Sequence, residues 1–247
     1  MMKIFLINLD RSVDRLDAMK TRLDQLDLTF ERVSAVDGSK LTEVELSVVK
    51  SPSKEFPNWM TLGEIGCFLS HRKCWQKLVD SEESWAVILE DDCIFSSEAA
   101  QYLVNSDWIP SECKLVQLIF TTGKTYQLRS IDLNENELCL IKNSIPVGAY
   151  AYVISREAAQ LALGMSKEIT EPVDNFLFGM YSKFSKSVAC WRLKNAVTKI
   201  NEEVATTIQG RATRKFTWFR IHPWRVCQKI LMKFQKLSLT RIFQRDF

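Results

Sequence analysis

The opening of the chain dictates its architecture. Lys3-Ile-Phe-Leu-Ile-Asn-Leu9 is a short, nearly unbroken apolar run, as expected of a strand buried on both faces. A turn at Asp10-Arg11-Ser12 follows. From Val13 to Leu26, the residues Leu16, Met19, Leu23 and Leu26 recur at steps of 3, 4 and 3, which sets them on one helix face. Thr29 to Val36 reads as a second strand, stopped by Asp37-Gly38. Strand, helix and strand make a βαβ unit, a parallel pair with a helix laid across it, and so predict an α/β domain.

The rest of the chain continues that pattern. Residues 38–60, with Pro52 and Pro57, read as irregular. A helix is expected from Leu62 to Val79, with Ile65, Phe68, Leu69, Trp75 and Leu78 inward. Trp85 to Leu89, Leu115 to Phe120, Ala149 to Ile154 and Val188 to Leu193 read as strands, and 121–147 as a loop. Ser155 stands where a helix N-cap belongs. Pro172 to Phe184 reads as one further helix, with Asp174 just inside its start. The apolar share of 46% over 247 residues supplies a sizeable core and excludes a disordered or collagen-like chain.

No stretch approaches the ~18 consecutive apolar residues of a spanning helix. The first apolar run is too short for a signal peptide and lacks a small-residue cleavage site, so a cytoplasmic chain is expected. The seven cysteines are scattered without a Cys-x-x-Cys. They read as reduced, apolar thiols, and with only two histidines no zinc cluster is expected.

Charge is unevenly spread. Residues 205–247 hold ten basic side chains against the single acid Asp246, while the preceding stretch holds 23 basic and 29 acidic. The expected organisation is a domain over 1–204 and a basic tail over 205–247. Within the tail, His222-Pro223 can open a helix whose stripe is Trp224, Cys227, Ile230, Leu231, Phe234 and Leu237, interleaved with Arg225, Lys229, Lys233 and Lys236. Aromatic and basic residues so arranged predict a helix lying on an anionic membrane surface, through 211–245. No nucleic-acid fold signature accompanies the charge.

The sharpest chemical feature is Glu90-Asp91-Asp92, directly after the Trp85–Leu89 strand. In open α/β sheets the ligand crevice lies at the carboxyl ends of the strands. Three carboxylates there repel one another, and Mg²⁺ or Mn²⁺ on hard oxygen ligands is the natural compensation. A phosphatase with an aspartate nucleophile needs a second Asp two residues on, where Cys93 follows Asp91. A restriction-type nuclease wants a Lys just beyond the acids, and none occurs from Cys93 to Gln101. Further back, Gly63-Glu-Ile-Gly-Cys-Phe-Leu-Ser-His71 places Glu64 and His71 near one helix face. Its two glycines point to close backbone packing.

Taken in order, Leu6-Ile-Asn-Leu-Asp-Arg11 with Arg15, Ala35-Val-Asp-Gly38, Gly63 to His71 with Trp75, and Val87-Ile-Leu-Glu-Asp-Asp92 resemble glycosyltransferase family 25. The likeness continues through Gly148-Ala-Tyr-Ala-Tyr-Val-Ile-Ser155 and Pro172-Val-Asp174. It implies the GT-A nucleotide-sugar transferase fold, a Rossmann-like mixed sheet with helices on both faces. It also implies an inverting, metal-dependent reaction, often with UDP-galactose, on a lipooligosaccharide or lipopolysaccharide acceptor. By the same resemblance Asp92 contacts the metal, with Glu90 and Asp91 beside it. Asn8, Arg11, Arg15, Asp37 and His71 serve the nucleotide-sugar donor. Asp174 is the base, with Glu64, Asp91 and Glu171 as competitors. A lipid-linked acceptor would place the enzyme at the cytoplasmic face of the bacterial inner membrane. The family's Pro before its last core block is missing from Leu193-Lys-Asn-Ala-Val-Thr198, and no third metal ligand is assigned. Two further readings stay open: another metal-dependent phosphoester enzyme, and a non-enzymatic anion binder.

Overall fold

The computed structural model describes residues 2–49, 60–121, 125–144, 148–179, 182–202 and 240–242. Strand β1 (Lys3–Asn8), helix α1 (Val13–Asp24) and strand β2 (Glu31–Ser34) form the expected parallel unit. Helix α3 (Leu62–Asp80) leads into β3 (Trp85–Glu90), which lies parallel to β1 on its other side. Along β1, Ile4 and Leu6 pack with Met19 and Leu23 of α1, while Phe5 and Ile7 pack with Phe68, Trp75 and Leu78 of α3. The period-2 alternation of a strand thus divides one apolar run between two cores. Helices therefore cover both faces.

Beyond β3 the sheet becomes mixed. Strand β8 (Ala151–Ser155) runs antiparallel to β3 and to β5 (Leu115–Gln117), and β9 (Cys190–Leu193) runs parallel to β5. Strands β6 (Thr125–Asp132) and β7 (Glu137–Ser144) form a hairpin that joins through β7 to β9. Strand β11 (Thr240–Ile242) closes that edge against β6. Among the described residues the order is β11-β6-β7-β9-β5-β8-β3-β1-β2. A second, two-stranded sheet pairs β4 (Cys93–Phe95) with β10 (Thr198–Ile200). Short α4 (Ala99–Leu103) follows β4, and α5 (Arg156–Met165) follows β8.

Three expectations change. Residues 38–49 are not irregular: a 3-10 turn at Gly38–Lys40 precedes α2 (Glu43–Val49). Thr42 and Glu45 cap α2 reciprocally, side chain to backbone, at 2.8 and 3.3 Å. The expected loop over 121–147 contains the β6–β7 hairpin, whose turn holds Asn134 at a φ of 69°, a left-handed conformation that Asn tolerates. The expected single helix from Pro172 is two, α6 (Val173–Phe178) and α7 (Lys183–Ser187). Gly179 parts them with an extended ψ of 129°, and a Cβ there would lie 2.4 Å from the Asn175 carbonyl oxygen. The Ser155 cap is as expected, its hydroxyl accepting from the Ala158 amide at 3.1 Å. The expected tail helix lies outside the described residues. Among those residues no helix is long and apolar enough to cross a membrane.

Two glycines let α3 approach the turn after β2. A Cβ on Gly66 would fall 2.5 Å from the Val36 carbonyl oxygen and 2.7 Å from the Gly38 amide. A Cβ on Gly38 would fall 1.9 Å from the Leu62 carbonyl oxygen. Ser70 completes the seam by accepting from the Val36 amide at 2.8 Å. Only hydrogen fits between these backbones, and their contact sets the position of the first turns of α3.

Candidate active site

A cleft of about 1490 Å³ opens at the carboxyl ends of β1 and β3. Asn8, Arg11, Arg15, Asp37, Glu64, Glu90, Asp91, Asp92 and Asp174 all border it. Nine of the ten residues expected at the site therefore converge from five separate segments. The tenth, His71, is fully buried. It reaches the cleft through Glu90, with Nε2 3.3 Å from Glu90 Oε1.

The three acids have different surroundings. Asp91 is 7% exposed. Asn8 Nδ2 donates to its Oδ2 at 2.7 Å, and Arg15 pairs with its Oδ1. Burial raises its pKa above the usual carboxylate value, while Arg15 and Asn8 pull it back. Asp92 has weaker support. Arg15 stands 3.4 Å from its Oδ2, and its Oδ1 is buried with no hydrogen-bond partner. Burial first and the neighbouring Glu90 second push Asp92 up to about 7.

The resemblance implies a divalent cation, and these residues fit one. The donor atoms are hard carboxylate oxygens, and Asp92 Oδ1 is a buried acceptor with no hydrogen-bond partner. Arg15, expected to serve the nucleotide, borders the cleft while pairing with Asp91 and standing 3.4 Å from Asp92. Arg11 and Asp37 pair with each other at the cleft mouth. Ser39 accounts for the lowered Asp37 pKa in the first place, with Arg11 contributing less.

The base candidates divide as well. Glu64 is 4% exposed. Its Oε2 accepts from the Thr61 amide at 2.9 Å, while the Thr61 hydroxyl accepts from the Glu64 amide at 3.2 Å. That is a capping box, so Glu64 holds the start of α3. Asp174 stands at the second position of α6 on the cleft wall, half-buried, with its Oδ1 accepting from the Asn175 amide at 2.8 Å.

Two wall residues escaped the sequence reading. Lys199 and Asn201 border the cleft on and just after β10. The β4–β10 pair and a 2.8 Å bond from the Asn201 amide to the Asp92 carbonyl hold them against the acids. The signal lay in the segment after Leu193, where the expected proline is absent. The described cysteines are free thiols, as expected.

The family model described as glycosyltransferase family 25 (LPS biosynthesis protein) matches residues 1–177. Procollagen galactosyltransferase 2 of Homo sapiens is 32% identical over 194 residues, 73% of this chain and 30% of that protein. A glycosyltransferase 25 family member of Drosophila melanogaster is 33% identical over 189 residues, again 73% of this chain and 31% of that protein. The chain thus spans under a third of the length of these relatives. A solved glycosyltransferase involved in glycosylation of the major capsid of PBCV-1 aligns over 83% of this chain and 94% of its own. Its TM-score is 0.46 and its identity 8%, too distant a likeness to bear on function. The family match runs unbroken from β1 through the acids at the end of β3 to Asp174 on α6, and on that ground the chain belongs to glycosyltransferase family 25.

Proposed function

We propose that the cleft transfers a hexose, galactose from UDP-galactose, with inversion and with Mn²⁺ or Mg²⁺, onto a sugar of a lipooligosaccharide or lipopolysaccharide acceptor. The observation that carries the reading is the buried, unpartnered Asp92 Oδ1 among three carboxylates at the cleft floor. The galactosyltransferase name of the relatives supports the donor, and the family description supports the acceptor.

In this mechanism Asp92 and Glu90 would hold the cation, which would supply positive charge for the leaving diphosphate. Asn8 and Arg15 hold the Asp91 carboxylate in place and favour its charged form against burial. Arg11 and Asp37, at the cleft mouth, would meet the nucleoside. Asp174 would take the proton of the acceptor hydroxyl as it attacks in line, a role worth roughly 10²–10⁴-fold. The basic tail would hold the enzyme at the cytoplasmic face of the inner membrane, beside a lipid-linked acceptor.

A donor screen tests this. UDP-galactose, UDP-glucose, UDP-N-acetylglucosamine and UDP-N-acetylgalactosamine are each supplied with Mn²⁺ and acceptor, and UDP release is read. UDP-galactose with a lipooligosaccharide core is expected to turn over fastest. Preference for a procollagen peptide would move the acceptor to the one named in the relatives. Full turnover in excess chelator would overturn the metal assignment.

A further inference from the structure

Cys67 and His71 stand one turn apart on α3, and Glu90 ends β3. One ligand atom from each lies within 4.8 Å of the other two. Zinc binds sulfur at ~2.3 Å and imidazole nitrogen or carboxylate oxygen at ~2.0–2.1 Å, so tetrahedral ligands sit ~3.3–3.7 Å from one another. Modest side-chain rotation closes that gap.

The surroundings of His71 prepare it as a ligand. Its Nδ1 lies 2.9 Å from the Tyr152 hydroxyl, and Trp75 Nε1 donates to the same hydroxyl at 2.8 Å. The ring-nitrogen roles follow from these partners. When the Tyr152 hydroxyl donates to Nδ1, Nε2 carries the proton and meets Glu90. When the hydroxyl accepts from Nδ1, the Nε2 lone pair faces Glu90 directly. Turning the hydroxyl and shifting the ring proton from Nε2 to Nδ1 therefore serves both an empty and an occupied site. A buried partner that fixes the distal ring nitrogen is the usual support of a zinc-bound histidine. Cys67 and Glu90 both border the cleft, which leaves a fourth position open toward it, as in zinc sites that keep an exchangeable ligand.

We propose that Cys67, His71 and Glu90 form a second cation site, selective for a borderline-soft ion such as Zn²⁺ and sharing only Glu90 with the hard-oxygen acids at Asp92. Occupancy transfers the Cys67 thiol proton to solvent and forms a sulfur–metal bond. Thiolate and imidazole discriminate against Mg²⁺, which prefers oxygen. Glu90 belongs to both groups, so zinc held here draws it from the diphosphate side and inhibits transfer. That last consequence alone rests on the proposed function.

The test uses the full chain without Mg²⁺, so that no hard cation competes for Glu90, with Co²⁺ as the spectroscopic probe and Zn²⁺ as its competitor. One Co²⁺ per chain is expected, with a thiolate-to-cobalt absorption that Zn²⁺ abolishes. Cys67→Ser, and Cys67→Ala as a second variant, should lose that absorption and weaken zinc binding at least roughly tenfold. A wild-type spectrum without the thiolate band, or zinc affinity within about twofold of wild type in both variants, would overturn the site. This readout needs no turnover, so it separates failure of the metal site from failure of the transferase reading.

Discussion

Asp92→Asn should stabilise the metal-free protein while abolishing transfer. The folded-state pKa of Asp92 is pushed up from 3.8 to about 7. Between those values the unfolded chain releases the proton and the folded chain keeps it, so stability falls as pH rises. The full cost is reached above pH 7. The shift is about three pKa units at ~1.4 kcal/mol each, which sets a ceiling of ~4 kcal/mol. The side chain keeps 22% of its exposure, and real interiors screen charge better than a dry medium, which lowers the expected cost to about 2–3 kcal/mol. Asparagine has the same shape and no charge to bury, and Arg15 retains Asp91 as its partner. In chelator at pH 8 the variant should melt about 5–10 °C above wild type, and near pH 4 the two should converge. Mn²⁺ should raise the melting temperature of wild type and leave the variant unmoved. A variant that melts below wild type at pH 8 in chelator would refute the reasoning, because Asp92 would then be a net stabilising charge.

Three further outcomes follow from the same structure. Gly66→Ala drives a methyl into the backbones of Val36 and Gly38 and should cost about 1–3 kcal/mol, read by urea unfolding; an unchanged midpoint would show that the seam can open freely. Asp174→Asn should lower kcat roughly 10²–10⁴-fold with donor affinity preserved; a kcat within about threefold of wild type at saturating substrates removes it as the base. Replacing Arg225, Lys229, Lys233 and Lys236 by Gln in the full chain should abolish co-sedimentation with anionic vesicles at low salt. Equal pelleting of both proteins places the membrane contact elsewhere.

Much of the site was legible because buried strands and acids leave plain marks. The apolar run of β1 and the acids closing β3 are read from residue types alone, and the parallel pairing of β1 with β3 brings Asn8 beside Asp91. The Gly66 contact was readable as a requirement for close packing, though not what it packs against. The partners of the charges were harder to read, since nothing local in the sequence joins Arg15 to Asp91. Thr42-x-x-Glu45 carried a capping signature for α2, obscured by the nearby prolines. The β6–β7 hairpin lies toward the sheet edge, where one-sided burial and polar alternation resemble a loop. Gly179 was the visible warning that α6 would not run on. Lys199 and Asn201 depended on a pairing across about a hundred residues, from β4 to β10, which no local pattern announces.

The small β4–β10 sheet also bears on the order of events during synthesis. Strands β1, β2 and β3 and helix α3 all lie within the first 90 residues, and the nascent chain can bring them together early. The wall behind Asp92 arrives only with residues 198–201. At roughly 5–20 residues per second, the three carboxylates remain in water for several seconds after the ribosome has made them. The unfavourable burial of Asp92 is thus deferred until most of the apolar core is available to offset it. Pulse-labelled hydrogen exchange during refolding should find the β1 and β3 amides protected before those of β10, and the reverse order would contradict this sequence of assembly.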